Sequence, residues 1–322
     1  MRVLSDDDVA ELLDLDELLP AIERAFRKQG RGEVERPDRP HFPVGTGIEG
    51  DEPLGTGLTM PAYIHGDDHY ATKLASVHEG NAERGLPTVQ AQIAVTDART
   101  GEPTALLAGT RITNARTGCI GGLAADRLAV GDGPVTLGIV GAGTQARWQA
   151  RAIAAARSVD SVRVYSPSDS RAACAADLRA EGIDAAAVDS AGAAVADADV
   201  VVTATTATEP VFPGDALAPG TLVVAVGAYT TEMRELDATA VSRAARLFAD
   251  VPAEAAETGD FPDHDGSAFT PLSAVFEGEA GRESATEILV VASVGSAVLD
   301  AAAATALVER AQTENVGTEV GL

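Results

Sequence analysis

Cysteine is nearly absent from this 322-residue chain, which carries only Cys119 and Cys174. Two scattered thiols make neither a disulfide framework nor a metal-ligand set, and both read as structural. Lysine is equally scarce, at Lys28 and Lys73 alone, so positive charge rests almost wholly on arginine. Aromatic residues make up 4% of the chain. No apolar run is long enough to span a bilayer, which excludes a transmembrane helix. The opening residues, MRVLSDDDVAELL, lack the basic-then-apolar order of a secretory signal and so point to the cytoplasm. The histidines, among them His65, His69 and His78, share no ligand-like spacing with acids, and no metal is expected.

Charge of one sign is in excess. There are 49 Asp and Glu against 24 Lys and Arg, a net charge of −25, and the acids are spread along the whole chain. Such a surface repels nucleic acid and anionic membrane, so neither is expected as a partner. A dense carboxylate surface stays hydrated in concentrated salt, where its self-repulsion is screened. A salt-rich cytoplasm is the expected setting.

What is present is centred on Val135 to Ala156, VTLGIVGAGTQARWQARAIAAA. A short apolar run ends at Gly141-Ala142-Gly143-Thr144-Gln145-Ala146, and a helical pattern rich in small residues follows at once. Gly141 suits the tight turn, Gly143 lets backbone approach a pyrophosphate, and Ala146 permits close helix–strand packing. The helix N-terminus would hold the phosphates. The plain alternative is an ordinary strand-to-helix turn; a strand before and a helix after favour dinucleotide binding.

Around this centre the pattern divides. Ser5 before Asp6, Asp7 and Asp8 starts one helix and Asp16 starts a longer one ending at Gly30. The proline-rich stretch Arg36 to Pro43 reads as a loop with no regular structure. Strand-like runs follow at 57–64, 70–77, 88–96 and 103–107, the last two joined as a hairpin, before a helical segment over 113–128. Gly131 to Pro134 is a linker. Beyond it, βα units alternate, with strands at 162–165, 185–188, 200–203, 222–226 and 288–291, and 254–281 reads as loop with a short helix. A last helix is expected over 296–312. These patterns predict an α/β fold: a doubly wound Rossmann domain over 126–299, and a discontinuous α+β domain from 1–125 and 300–322.

The acid that binds a ribose 2′-hydroxyl belongs at the end of the second strand, about 20 residues past the glycine turn. Ser166 holds that place, followed by Pro167, Ser168 and Asp169. The carboxylate of an NAD-specific site is therefore missing. Arg171 stands close enough in sequence to meet a 2′-phosphate, and the balance leans to NADP(H) or dual use with NAD(H); Asp169 is the alternative ribose ligand after a small shift.

The ordered motifs identify a resemblance. Met60-Pro61-Ala62-Tyr63, Lys73, Gly85-Leu86-Pro87-Thr88, Asp97 to Pro103, Arg116-Thr117, Gly141 to Gln145, Val226-Gly227-Ala228, Arg234-Glu235-Leu236 and Ser293-Val294-Gly295 run in the order of one family. The chain resembles the ornithine cyclodeaminase/μ-crystallin family, which includes archaeal alanine dehydrogenases and ketimine reductases, here on a haloarchaeon-like acidic background. The resemblance implies a homodimer, a substrate and dimerisation domain closed by the last helix, and a nicotinamide-binding domain with the substrate in the cleft between. By motif position it assigns Arg39 and Lys73 to the substrate, and Thr88 and Arg116 to cofactor or substrate. It places Thr144 and Gln145 at the pyrophosphate, with Thr205, Val226, Gly227, Tyr229 and Ser293 on the cofactor side.

Several of these residues carry weight by themselves. Lys73 lies mid-strand, where the bland reading is an outward-facing residue; desolvated, it would have its pKa lowered toward working pH and suit proton transfer. Arg116 sits among small apolar residues, where an unpaired guanidinium is costly. A bound carboxylate or phosphate would satisfy it, and so would a structural salt bridge. Arg39 lies in a loop, where arginines are usually solvated. The chain departs from the family at Tyr229, where cyclodeaminases and some alanine dehydrogenases carry an aspartate two residues after the glycine. A phenol is no carboxylate base at neutral pH. Hydride transfer between an amino acid and its oxo or imino acid is the first reading, ornithine cyclodeamination the second, and a non-enzymatic ligand-binding role the third.

Overall fold

A computed structural model describes residues 1–321, in two compact units: Met1–Arg116 with the residues from Ser296 on, and Thr117–Gly295. The chain thus passes between units at Arg116 and Gly295, and not at the 125 and 299 expected from sequence. The first crossing falls inside a helix, where no turn signal marks it.

The first unit opens with β1 (Arg2–Leu4), α1 (Asp6–Leu12) and α2 (Leu15–Gly30). Ser5 caps α1 through a reciprocal box: its hydroxyl accepts from Asp8 N and the Asp8 carboxylate accepts from Ser5 N at 2.8 Å. Strands β2 (Val34–Glu35), β3 (His41–Val44), β4 (Gly55–Ile64), β5 (His69–Val77), β6 (Val89–Asp97) and β7 (Pro103–Ala108) follow, then α3 (Gly109–Leu128). The stretch expected to be wholly irregular ends in a strand, because β3 pairs antiparallel with β4 from His41 to Val44. Pro43 is tolerated since β3 has a partner on one side only.

Antiparallel pairing sets Met60 opposite Lys73 and Lys73 opposite Ile93. Directly opposed residues share a face, and Met60, Ala62, Ala71, Ile93 and Val95 are all buried. Lys73 therefore belongs to the covered face. Its neighbours Tyr70 and Leu74, on the other face, are 38% and 44% exposed.

The second unit contains β8 (Val135–Val140), α4 (Thr144–Ala156), β9 (Val159–Tyr165), α5 (Ser170–Ala180), β10 (Ala185–Ala187), α6 (Ala191–Val195), β11 (Val200–Thr203) and β12 (Leu222–Ala225). It continues through α7 (Ala238–Arg243), β13 (Ala244–Ala249), α8 (Pro252–Ala255), β14 (Phe269–Pro271), α9 (Leu272–Phe276) and β15 (Ile288–Ala292). All eight strands are parallel, in the order β10-β9-β8-β11-β12-β15-β13-β14. Strands β11, β12 and β15 are buried at every residue, as a sheet covered on both faces requires. β13 and β14 add to the sheet expected from sequence. β14 lies in the acidic stretch read as loop, and β15 runs inside the sheet between β12 and β13.

The chain then returns to the first unit as α10 (Ala297–Glu314) and β16 (Thr318–Glu319). Sheet order there is β16-β1-β7-β6-β5-β4-β2, and α10 packs on β4, β5, β6 and α2. This alanine-rich helix lies close to the strands, and almost all of its first twelve residues are buried. Among the described residues no helix is long and apolar enough to cross a membrane.

Candidate active site

A charged cluster occupies the covered face of the first sheet. Lys73 reaches up from β5, and its Nζ donates to Asp300 Oδ2 at 2.6 Å. Asp300 comes from the first turn of α10, where the helix dipole favours a carboxylate. Arg116, from α3, donates through Nε to Asp300 Oδ1 at 3.0 Å. All three are at most 5% exposed. Burial pulls the Lys73 ammonium down to about 8, against the opposing pull of the Asp300 charge. Burial alone would raise the Asp300 carboxyl, but the charges of Arg116 and Lys73 outweigh it and hold the group below the usual carboxylate range. Arg39, half-buried between β2 and β3, adds a positive charge felt by Lys73. Thr88 stands just before β6, its carbonyl accepting from His78 N at 2.9 Å.

The chemistry of this cluster is a proton-bearing amine beside guanidinium donors in a dry setting. Asp300 engages Arg116 at Nε, leaving the terminal nitrogens as donors for a planar anion. The salt-bridge reading of Arg116 is what the structure shows. Its partner Asp300 was not among the residues singled out from sequence, for it lies 184 residues away in an alanine-rich helix that read only as core.

The second unit meets the demands of a dinucleotide turn. Gly141 sits at φ 114°, and a Cβ there would stand 2.3 Å from Ala204 O, so only glycine fits. Gly143 is the N-cap of α4 without a side-chain cap, and a Cβ placed on it would meet nothing within 4 Å. The first amides of α4 thus lack a capping side chain beside open space, an arrangement that suits phosphate. Thr144 is exposed there, Gln145 half-buried and Ala146 buried against the sheet. The strand order reverses between β8 and β11, which places the crevice at their carboxyl ends.

The loops along that edge are tied by two buried carboxylates. Glu235 Oε1 accepts from Thr205 N at 2.7 Å and Thr205 Oγ1 at 2.8 Å; Oε2 accepts from Thr203 Oγ1 and Gly227 N, both at 2.8 Å. Burial pushes the Glu235 carboxyl up to about 7, although the hydroxyls of Thr203 and Thr205 pull the other way. Asp250, following β13, accepts from Ser293 Oγ at 3.0 Å and from Gly295 N at 2.7 Å. Neither carboxylate carried a role in the sequence reading; Glu235 stood inside a matching motif, and Asp250 had no signal.

At the end of β9, Ser166 is buried, and the hydroxyls of Ser166, Ser168 and Ser170 lie within 3.4 Å of one another. Arg171 Nη1 donates to Ser166 O at 2.9 Å. Val226 is half-buried after β12, while Tyr229 is 47% exposed. The sequence-picked residues therefore fall into two groups. Lys73, Arg116 and the charge of Arg39 gather in the first unit. The glycine turn, Thr205, Gly227 and Ser293 line the strand ends of the second. Among the described residues no set of His, Cys, Asp and Glu is arranged to hold a metal ion.

Known proteins resemble this chain over nearly its whole length. The sequence profile of the ornithine cyclodeaminase/mu-crystallin family matches residues 1–315. A Delta(1)-pyrroline-2-carboxylate reductase of Bacillus cereus is 32% identical over 99% of this chain and 99% of its own. The structure of Thermococcus litoralis Delta(1)-pyrroline-2-carboxylate reductase with NADH and L-proline superposes with a TM-score of 0.92, at 33% identity, covering 99% of this chain and 100% of that one. An archaeal alanine dehydrogenase dimer with bound NAD gives a TM-score of 0.90 at 28% identity, covering 100% of this chain and 99% of that one.

Proposed function

The chain belongs to the ornithine cyclodeaminase/mu-crystallin family, and from that premise we propose that it is an NAD(P)H-dependent reductase of a small α-imino acid, foremost a cyclic ketimine such as Δ1-pyrroline-2-carboxylate. The observation that carries this reading is the buried Lys73–Asp300–Arg116 cluster. An α-imino carboxylate asks for a planar donor for its carboxylate and a proton for its nitrogen. The terminal nitrogens of Arg116, with the charge of Arg39, answer the first need. Lys73 Nζ answers the second: with its pKa near 8 it holds a proton at neutral pH and gives it up readily. Asp300 keeps that ammonium charged and aimed.

The second unit takes the dinucleotide, with its pyrophosphate at Gly143, Thr144 and Gln145, and Thr205, Gly227 and Ser293 toward the nicotinamide. When bound, the reduced dinucleotide supplies the hydride that, with one proton, converts C=N to CH–NH. The loop after β9 favours NADPH over NADH, because three serine hydroxyls and Arg171 suit a 2′-phosphate where no carboxylate receives a ribose hydroxyl. Tyr229 stands where cyclodeamination asks for an aspartate, which sets the ornithine reaction behind reduction.

A second copy of this chain is the partner that the open face of the first sheet supports, since Phe42, Tyr70 and Leu74 lie exposed on it. A net charge of −25 with two lysines supports work in the salt-rich cytoplasm of a halophile. The test is loss of nicotinamide absorbance in molar KCl, with NADPH and NADH tried separately. Substrates are Δ1-pyrroline-2-carboxylate, Δ1-piperideine-2-carboxylate, pyruvate plus ammonium, and ornithine. Stoichiometric oxidation with a cyclic imine is expected. Proline and ammonia from ornithine without net oxidation would overturn the reading.

A further inference from the structure

Glu235 is a fully buried carboxylate whose four hydrogen-bond partners are hydroxyls and amides rather than a cation. Burying such a group is costly, and an apolar side chain would fill the same space more cheaply. What the carboxylate does is join two loops. Thr205 follows β11 and Gly227 follows β12, adjacent parallel strands, and Glu235 binds the backbone amide of each. The joint is tight: a Cβ on Gly227 would lie 2.2 Å from Thr205 O and 2.5 Å from Glu235 Oε1. It also touches the glycine turn, since a Cβ on Gly141 would come within 3.2 Å of Thr205 Cγ2. Glu235 is itself held, as Asp260 Oδ1 accepts from Glu235 N at 2.6 Å and from Leu236 N at 2.7 Å.

We infer that Glu235 is a positioning residue for the dinucleotide: by clamping Thr205 to Gly227 it fixes the loops after β11 and β12 against the glycine turn and so sets cofactor affinity. The inference rests on the reading that this unit binds NAD(P)H. A glutamine cannot replace the clamp. Each oxygen of Glu235 receives one backbone amide, so either orientation of the carboxamide turns its NH2 toward an N–H that cannot reverse. Protonation of the carboxyl weakens the clamp, since a neutral carboxyl accepts these amides less strongly than a carboxylate, and burial has moved that event to about pH 7. The charge it feels is that of Asp260, also raised by burial and itself acted on by Arg234.

The experiment is a fluorescence titration of the full chain with NADPH and with NADH at pH 8, for wild type and Glu235→Gln, followed by an NADH series from pH 6 to 8.5. NADH serves for the series because it lacks the 2′-phosphate, which titrates near 6 itself. Glu235→Gln is expected to raise the Kd at least tenfold, while kcat at saturating cofactor stays within about threefold. Wild-type Kd is expected to rise as pH falls through about 7, and this step is expected to vanish in Glu235→Gln, which isolates it from Asp260. A variant that binds like wild type and keeps the step overturns the inference alone. Should the variant not fold, the wild-type series decides, and an affinity flat across that range overturns it. Wild-type chain that binds neither dinucleotide overturns the functional reading and the inference together.

Discussion

Lys73 Nζ and Asp300 Oδ2 stand 2.6 Å apart, with side chains 3% and 1% exposed. Asp300 also holds Arg116, but among the described residues it is the one anion paired with the buried ammonium, and the contact determines how the lysine behaves. Burial lowers the ammonium to about 8 while Asp300 holds it up. In Asp300→Asn the holding charge is gone, so Lys73 falls further. A reaction that uses the protonated amine loses rate as pH rises through that pKa. The alkaline limb of kcat/KM, near 8 in the wild type, is expected to move to lower pH in the variant. Turnover at pH 7 should drop by about a hundredfold or more, the range of general acid catalysis. The pH profiles of the two proteins measure both effects; coincident limbs would separate Lys73 from the proton step.

Arg116 engages Asp300 through one nitrogen, Nε. In the proposed site its value to a substrate would lie in the remaining planar edge, which a lysine lacks. Arg116→Lys is expected to raise the KM for the imino acid at least tenfold and to leave the dinucleotide Kd within about twofold. A shift in cofactor affinity instead would move Arg116 from the substrate to the dinucleotide. Steady-state kinetics beside a cofactor titration measures the split.

Legibility from sequence followed the range of each signal. The Gly141 to Ala146 turn is written in six adjacent residues, and its φ and close contact to Ala204 are what such glycines exist to permit. Lys73 stood out because lysine is otherwise nearly absent. Asp300 was hidden because its role comes from contact with β5 and α3, and its own neighbours Ala301 to Ala304 speak only of packing. Strand β3 was missed since the proline rule that forbids a central strand does not forbid an edge. Glu235 lay in a motif in plain view, but only folding brings Thr205 and Gly227 to its two oxygens.

Ser166 occupies the end of β9 with the hydroxyls of Ser168 and Ser170 beside it and the Arg171 guanidinium on its carbonyl. A carboxylate at this position would accept from a ribose 2′-hydroxyl and repel a 2′-phosphate. Ser166→Asp is therefore expected to lower the ratio of kcat/KM for NADPH over NADH by at least tenfold. Arg171→Ala should lower it in the same direction by weakening NADPH alone. Ratios unchanged in both would place the adenosine ribose elsewhere.

The surface charge makes a prediction about stability rather than chemistry. With 49 acids against 24 basic residues, folding concentrates a net charge of −25 that the unfolded chain disperses. At 1 M salt the Debye length is about 3 Å, and at 0.1 M it is about 10 Å, so dilution lets carboxylates repel across the surface. The exposed ion pairs, such as Arg99 with Asp68 at 70% and 58% exposure, offset little of this. Lowering KCl from molar to about 0.1 M is expected to lower the Tm, and NaCl at matched ionic strength is expected to restore it. Thermal unfolding followed across KCl and NaCl series measures the screening. A Tm indifferent to KCl would mean that self-repulsion is absorbed locally, and the excess acid would then carry no stability signature of salt.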